Sequence, residues 1–174
     1  MIVIFNGPPN SGKDVSADLL CDHLGFTHKM FKEHLIKDTI KHFGVSREWF
    51  DHGYTREKKE SPEEVLGGFS RREALIHVSE DLMKPLHGQS IYGTRVSAEI
   101  DSKIDYCFSD GGFMREIEPV INKFKDLNII IIQIVRDNCT FKSDSRKYFN
   151  TRNFQKIILG SENEIPKTDF YPDL

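Results

Sequence analysis

Residues 2–14 read IVIFNGPPNSGKD. Ile2 to Phe5 form a short apolar run with the character of a buried strand, and Gly7-Pro8-Pro9-Asn10-Ser11-Gly12 breaks it, because that cluster does not continue a strand. Val15, Leu19, Leu20 and Leu24 then recur at helical spacing until Gly25 stops them. The stretch therefore reads strand, glycine loop, helix. From Gly7 to Lys13 the spacing matches G-x-x-x-x-G-K-[ST], with Asp14 in the last position. Glycines at both ends let the backbone turn around an anion, and Asn10, Ser11, Gly12, Lys13, Asp14 and Val15 bring consecutive amides and the positive end of the helix toward it. Lys13 adds a formal charge for the β- and γ-phosphates of ATP. A hydroxyl at position 14 would touch Mg²⁺. A carboxylate there holds the metal directly or through water, and it repels bare phosphate, so Asp14 implies either bound Mg²⁺ or a shifted geometry.

The rest of the chain alternates between helical and strand patterns. Residues 29–43 are amphipathic, with Phe31, Leu35, Ile36, Thr39, Ile40 and Phe43 on one side and Gly44 at the end. Ser61-Pro62-Glu63-Glu64 has a capping serine and a proline at the first helical position, closed by Gly67-Gly68. Ser70-Arg71-Arg72-Glu73 is a capping box that starts a helix through Leu75, Ile76, Val78, Leu82 and Met83, ending before Pro85. Further helices are expected over about 92–102 and 113–127, and strands over 104–109, 128–135 and 154–159. The stretch from Asn128 to Val135 is nearly continuous aliphatic, the pattern of a strand buried on both faces of a parallel sheet. Strands alternating with helices predict an α/β fold, a parallel sheet with helices on both faces.

The 174 residues carry 24 Lys and Arg against 27 Asp and Glu, a formal charge of −3, so one domain is expected and a nucleic-acid binder held by bulk positive charge is excluded. The apolar stretch around Ile129 to Val135 is too short to span a bilayer, and the N-terminus has no secretory pattern. Cys21, Cys107 and Cys139 fit neither a disulfide framework nor a zinc site; reduced thiols in a soluble intracellular protein are expected.

The loop ending in Ser11-Gly12-Lys13-Asp14, followed by Ala17-Asp18, resembles the deoxynucleoside monophosphate kinases of tailed phages. Other stretches agree in order: Phe31 to Asp38, Arg56 to Glu60, Leu66 to Arg72, Ser109 to Phe113 with Glu116, and Ile134-Val135-Arg136. The likeness covers roughly residues 1–136. It implies a P-loop NTPase fold over 1–174, with a helical monophosphate-binding insertion at about 29–90 and a short lid at about 139–150. It also implies γ-phosphoryl transfer from ATP with Mg²⁺ to a deoxynucleoside monophosphate. The arginine that often follows the family's Ser-Asp pair is replaced by Gly111-Gly112, and Phe154 to Leu174 shows no match.

Such a kinase needs charge for two substrates. Arg71 and Arg72 begin a helix after Ser70, where cations are disfavoured unless an anion joins them, so this turn is a candidate monophosphate site. Lys58 and Lys59 join it through the resemblance, as does Lys32. Asp110 ends a strand, where ligands gather in open α/β sheets; it is a candidate for Mg²⁺ or substrate, with Glu116 one turn into the next helix. Arg136 shares that edge, and Arg146 is the candidate lid arginine; with Lys13 they form the expected catalytic set. The expected partners are small nucleotides, with neither a nucleic-acid polymer nor a membrane. A homodimer stays open, and the expected location is the cytoplasm, the host's if the chain is phage-encoded. Two other readings compete: a P-loop kinase of another small metabolite, and a nucleotide-binding module without transferase activity.

Overall fold

All five residues of β1 (Ile2–Asn6) are buried, because the strand has a neighbour on each side and a helical layer over each face. The computed structural model describes residues 1–55, 58–142 and 144–149, and the backbone of 155–159. Arg56, Glu57, Phe154 and residues 160–174 lie outside the described residues. The described strands form a five-stranded sheet with every pairing parallel. Its order is β2 (Thr27–Lys29), β3 (Tyr106–Phe108), β1, β4 (Ile129–Ile134), β5 (Gln155–Leu159). The register sets Val3 beside Cys107 and Ile130, and Asn6 beside Gln133.

Alternation along the strands divides the core. Ile2, Ile4, Phe108 and Ile131 face one way and pack with Val96 of α6 (Ile91–Glu99) and with Ile117 and Val120 of α7 (Met114–Lys123). Val3, Phe5, Cys107 and Ile134 face the other way and pack with Ala17 of α1 (Lys13–Leu24). Each aliphatic side chain so enclosed contributes about 1.5–3 kcal/mol. Parallel strands need crossovers, and these helices supply them.

Between β2 and β3 the chain makes a helical region: α2 (Lys32–Phe43), α3 (Arg47–Gly53), α4 (Arg71–His77), a wide π-type stretch (Val78–Met83), α5 (Lys84–His87) and α6. Ile36, Phe50 and Leu75 give it a small core of its own. β1 leaves toward the β2 edge, whereas the adjacent β4 leads to β5 on the opposite edge. Their carboxyl ends therefore open a crevice at a topological switch point, where α/β sheets bind ligands.

Several elements differ from the sequence expectation. β2 and α3 were not foreseen. Thr27-His28-Lys29 is a short polar edge strand without alternation, and α3 lies in a segment whose charges hide its Phe50 anchor. Pro62 does not open a helix; it forms a bridge with Ser70, and only a 3₁₀ turn over Glu64–Leu66 follows. The helical run that begins with α4 does not stop before Pro85 but continues through the π-type stretch into α5. The Lys84 amide reaches back five residues to the Ser79 carbonyl, and this wider turn relieves the clash a proline ring makes in a regular helix. α6 and α7 are both shorter than expected at their C-terminal ends.

Candidate active site

The loop between β1 and α1 closes on Gly12, whose φ of 105° favours glycine, and no side chain caps the helix that follows. The first amides of α1 thus have no side-chain cap, an arrangement that suits an anion. The buried Ser11 hydroxyl has no partner among the described residues. Lys13 Nζ donates to the Pro8 carbonyl at 2.7 Å, folding its ammonium over the loop. Burial, then the charge of Arg146, lowers the Lys13 pKa to about 8 against the pull of Asp14, Asp144 and Asp110.

Arg146 is therefore an electrostatic neighbour of Lys13. Its Nε donates to Asp144 Oδ1 at 2.8 Å, its amide donates to the same oxygen at 2.9 Å, and Nη2 donates to Oδ2. This pairing raises the arginine's pKa and holds it charged. Burial raises the Asp144 carboxyl, but the hydrogen bonds and charge of Arg146 outweigh that and hold it below its ordinary range. Arg146 lies across Gly112: a Cβ there would stand 2.3 Å from its Cδ. Gly112 thus makes room for an arginine delivered from another segment, whereas Gly111 packs against Ile4 and Phe5 of β1.

Asp110 sits under the start of α2. Its carboxylate accepts the amides of Phe31 at 3.0 Å and Lys32 at 2.9 Å, while burial drives its pKa up. Glu116 is raised to about 7 by burial and then by the charge of Asp110, with Lys84 and Arg146 opposing. Lys13, Asp110, Glu116, Lys84, Asp144 and Arg146 accordingly form one charged constellation at the carboxyl edge of the sheet.

The two adjacent arginines separate. Arg71 is 3% exposed, stacked 4.0 Å from the Trp49 ring and paired with Glu63, so it holds the helical region together. Arg72 is exposed, paired with Glu60 at 3.2 Å, and near enough to help lower the Asp144 pKa. Ser70 is buried and acts as the cap of α4, accepting the Glu73 amide. Lys59 contributes its carbonyl to the Arg72 amide, and Lys58 is exposed in the same turn. Lys32 places its ammonium 5.9 Å from the Tyr54 ring. Arg136 is exposed at the mouth of the glycine loop, with Nη1 donating to the Asn10 carbonyl at 3.4 Å.

Mg²⁺ fits Asp14 better than Asp110. The Asp14 carboxylate is exposed at the uncapped start of α1, whereas both Asp110 oxygens already accept amides. Among the described residues no group of three or more metal-binding side chains assembles. No helix among them is long and apolar enough to cross a membrane. The three cysteines are free thiols, with Cys21 and Cys107 sulfurs 3.7 Å apart.

Sequence reasoning missed Asp144, Lys84, Asn6 and Gln133. For Gln133 a signal existed, since it is the polar residue inside the aliphatic run from Ile129 to Val135. Asp144 had none, being two positions before an arginine in a mixed polar segment. No family model matches the chain, and no curated protein matches it in sequence.

Proposed function

We propose that this protein is an ATP-dependent deoxynucleoside monophosphate kinase with a P-loop fold, transferring the γ-phosphoryl group of ATP to a deoxynucleoside 5′-monophosphate. The observation that carries this reading is the convergence of two cations, Lys13 and Arg146, beside an uncapped helix start at the switch point of a parallel sheet. Two cations that feel each other's charge are costly alone and favourable around a polyphosphate. Amides from Asn10 to Val15 would wrap the β-phosphate, with Lys13 at the β/γ bridge. Mg²⁺ arriving with ATP would neutralise charge on the β- and γ-phosphates, and Asp14 is the residue that would hold it through water.

The acceptor would enter between the carboxyl edge and the helical region, its phosphate facing Arg72 and Arg146. An acceptor oxygen, already anionic, attacks the γ-phosphorus as the bond to the β-bridging oxygen breaks and ADP leaves. No general base is needed; positioning and charge supply the catalysis. Such an enzyme would work in the cytoplasm, the host's if phage-encoded.

The test is ADP release from ATP and Mg²⁺ across a panel of nucleoside monophosphates, modified pyrimidines included. Acceptor-dependent release is expected, and Lys13→Ala should lower kcat by about 10²–10³-fold with the fold intact. ATP binding without acceptor-stimulated release from any monophosphate rejects the reading.

A further inference from the structure

We propose that Asn6 and Gln133 are positioning residues: a buried amide pair on adjacent strands that fixes where Arg146 stands over the glycine loop. The role assigned to Arg146 rests on the kinase reading above, whereas the mechanical link does not.

The two side chains are 1% and 0% exposed and lie side by side in the β1–β4 register. Asn6 Nδ2 donates to the carbonyls of Gly111 and Lys147, each at 3.1 Å. Asn6 Oδ1 accepts the Phe149 amide at 3.0 Å, and Gln133 Nε2 donates to the Phe149 carbonyl at 2.7 Å. A weaker contact of 3.5 Å joins Gln133 Nε2 to Asn6 Oδ1. Tyr148 adds a hydroxyl that donates to the Ile134 carbonyl at 2.9 Å. Lys147 follows Arg146 in the chain, and Gly111 precedes the glycine across which Arg146 lies. One amide group therefore fixes both the arginine's segment and the surface beneath it.

The chemistry of the choice supports a positional task. Strand ends facing a core are filled most cheaply by aliphatic side chains, and a buried amide costs free energy unless its hydrogen bonds are made. Gln133 Oε1 has no partner among the described residues, so the contacts this side chain makes with them run through its donor. What it holds is the segment 144–149, which lies outside the named helices and strands and carries a single bridge, at Tyr148. A guanidinium acting on a transferring phosphoryl group must be placed closely, since a displacement of about 1 Å costs on the order of 10²-fold in rate.

The test combines kinetics with amide hydrogen exchange on the full chain. Asn6→Ala should lower kcat by about 30–100-fold while KM for ATP and acceptor each move less than about threefold. In an Arg146→Ala background the same substitution should cost less than about threefold more, because its effect runs through that arginine. Exchange at the Phe149 and Arg146 amides should accelerate about tenfold or more, while the ladder amides of Ile4 and Ile131 stay protected. Gln133→Met keeps the volume, removes the donor and should show the same pattern more weakly, should Asn6→Ala fail to fold. Multiplying kcat losses, or wild-type exchange at Arg146 in folded variants of both residues, overturns the proposal. Absence of turnover in the wild type with every acceptor would remove the kinase reading alone, and the exchange measurement would still decide whether the amide pair holds Arg146.

Discussion

Binding of a non-hydrolysable ATP analogue with Mg²⁺ should draw protons from solution, and the number drawn should climb steeply between pH 7 and 9. The source is Lys13, whose pKa burial and then Arg146 lower from 10.5 to about 8. In the free protein about 0.1 of a proton is missing from this side chain at pH 7, about 0.5 at pH 8 and about 0.9 at pH 9. A triphosphate laid against the ammonium restores the charged form. Proton uptake per bound analogue should follow those three values, and the apparent affinity should be about tenfold weaker at pH 9 than at pH 7. Phosphate's own last ionisation, near about 6, lies below this window and does not contribute. Calorimetric titrations in buffers of different ionisation heat measure the uptake directly. Lys13→Arg, always charged, should flatten the pH dependence. Uptake that stays near zero at pH 9, or that persists in Lys13→Arg, would show that this ammonium does not face the phosphates. The same shift has a stability counterpart of defined sign. Between about pH 8 and 10.5 the unfolded chain holds a proton the folded one has lost, so the free protein should gain stability as pH rises through that window.

Three further outcomes are expected. In Gly53→Ala the new Cβ would lie 2.0 Å from the Arg71 guanidinium carbon, which is wedged against Trp49 and Glu63; a loss of about 3 kcal/mol is expected in urea unfolding, and a loss under about 0.5 kcal/mol would disprove that packing. In Gly112→Ala the nearest atoms to the new Cβ are those of the flexible Arg146 stem, so the unfolding midpoint should hardly move while kcat drops by about tenfold or more. Glu116, raised to about 7, binds a proton in the folded state that the unfolded chain releases above about 4.5, so its ionisation costs stability as pH rises through that window. Glu116→Gln should remove this slope and stabilise the protein by on the order of 2 kcal/mol at pH 8, with little change at pH 4.5, as read by denaturation at the two values.

What the sequence made legible tracks how local each cause is. The β1-loop-α1 unit was readable because an apolar run, two glycines and a helical repeat lie within about twenty-five residues, each enforcing its own conformation. β4 was readable from its unbroken aliphatic run. The start of α4 was readable because Ser70 and Glu73 satisfy each other's backbone three residues apart. The α2 start was not readable in this way, since its amides are satisfied by Asp110, some 78 positions away in the chain. Arg71 and Arg72 were inseparable on paper: adjacent helix positions differ by about 100° in direction, and which one meets Trp49 and Glu63 is a property of the packed helices. The candidate site was legible where the loop makes it and illegible where segments far apart in sequence complete it, as Asp144, Lys84, Asn6 and Gln133 do.

That division explains why so many acids stand among the cations of the cleft. Lys13 and Arg146 repel one another, and in the free protein the repulsion is met by Asp144 on the arginine and by a backbone carbonyl on the lysine. Neither partner is lost cheaply, because each group is partly desolvated and a buried charge without a counterion is costly. On the proposed reading, a phosphate arriving between the two cations would exchange one set of charge-assisted hydrogen bonds for another, so the net gain would come from the second negative charge that phosphate carries and a carboxylate lacks. Removing the internal acid should then tighten ligand binding while destabilising the free fold: in Asp144→Asn the arginine keeps a weak neutral acceptor and Lys13 loses a favourable neighbour. ATP-analogue affinity should rise by about three- to tenfold as the unfolding midpoint falls. Weaker binding in a folded Asp144→Asn protein would mean that the carboxylate holds Arg146 in its working place, with no part as a counterion that the nucleotide displaces.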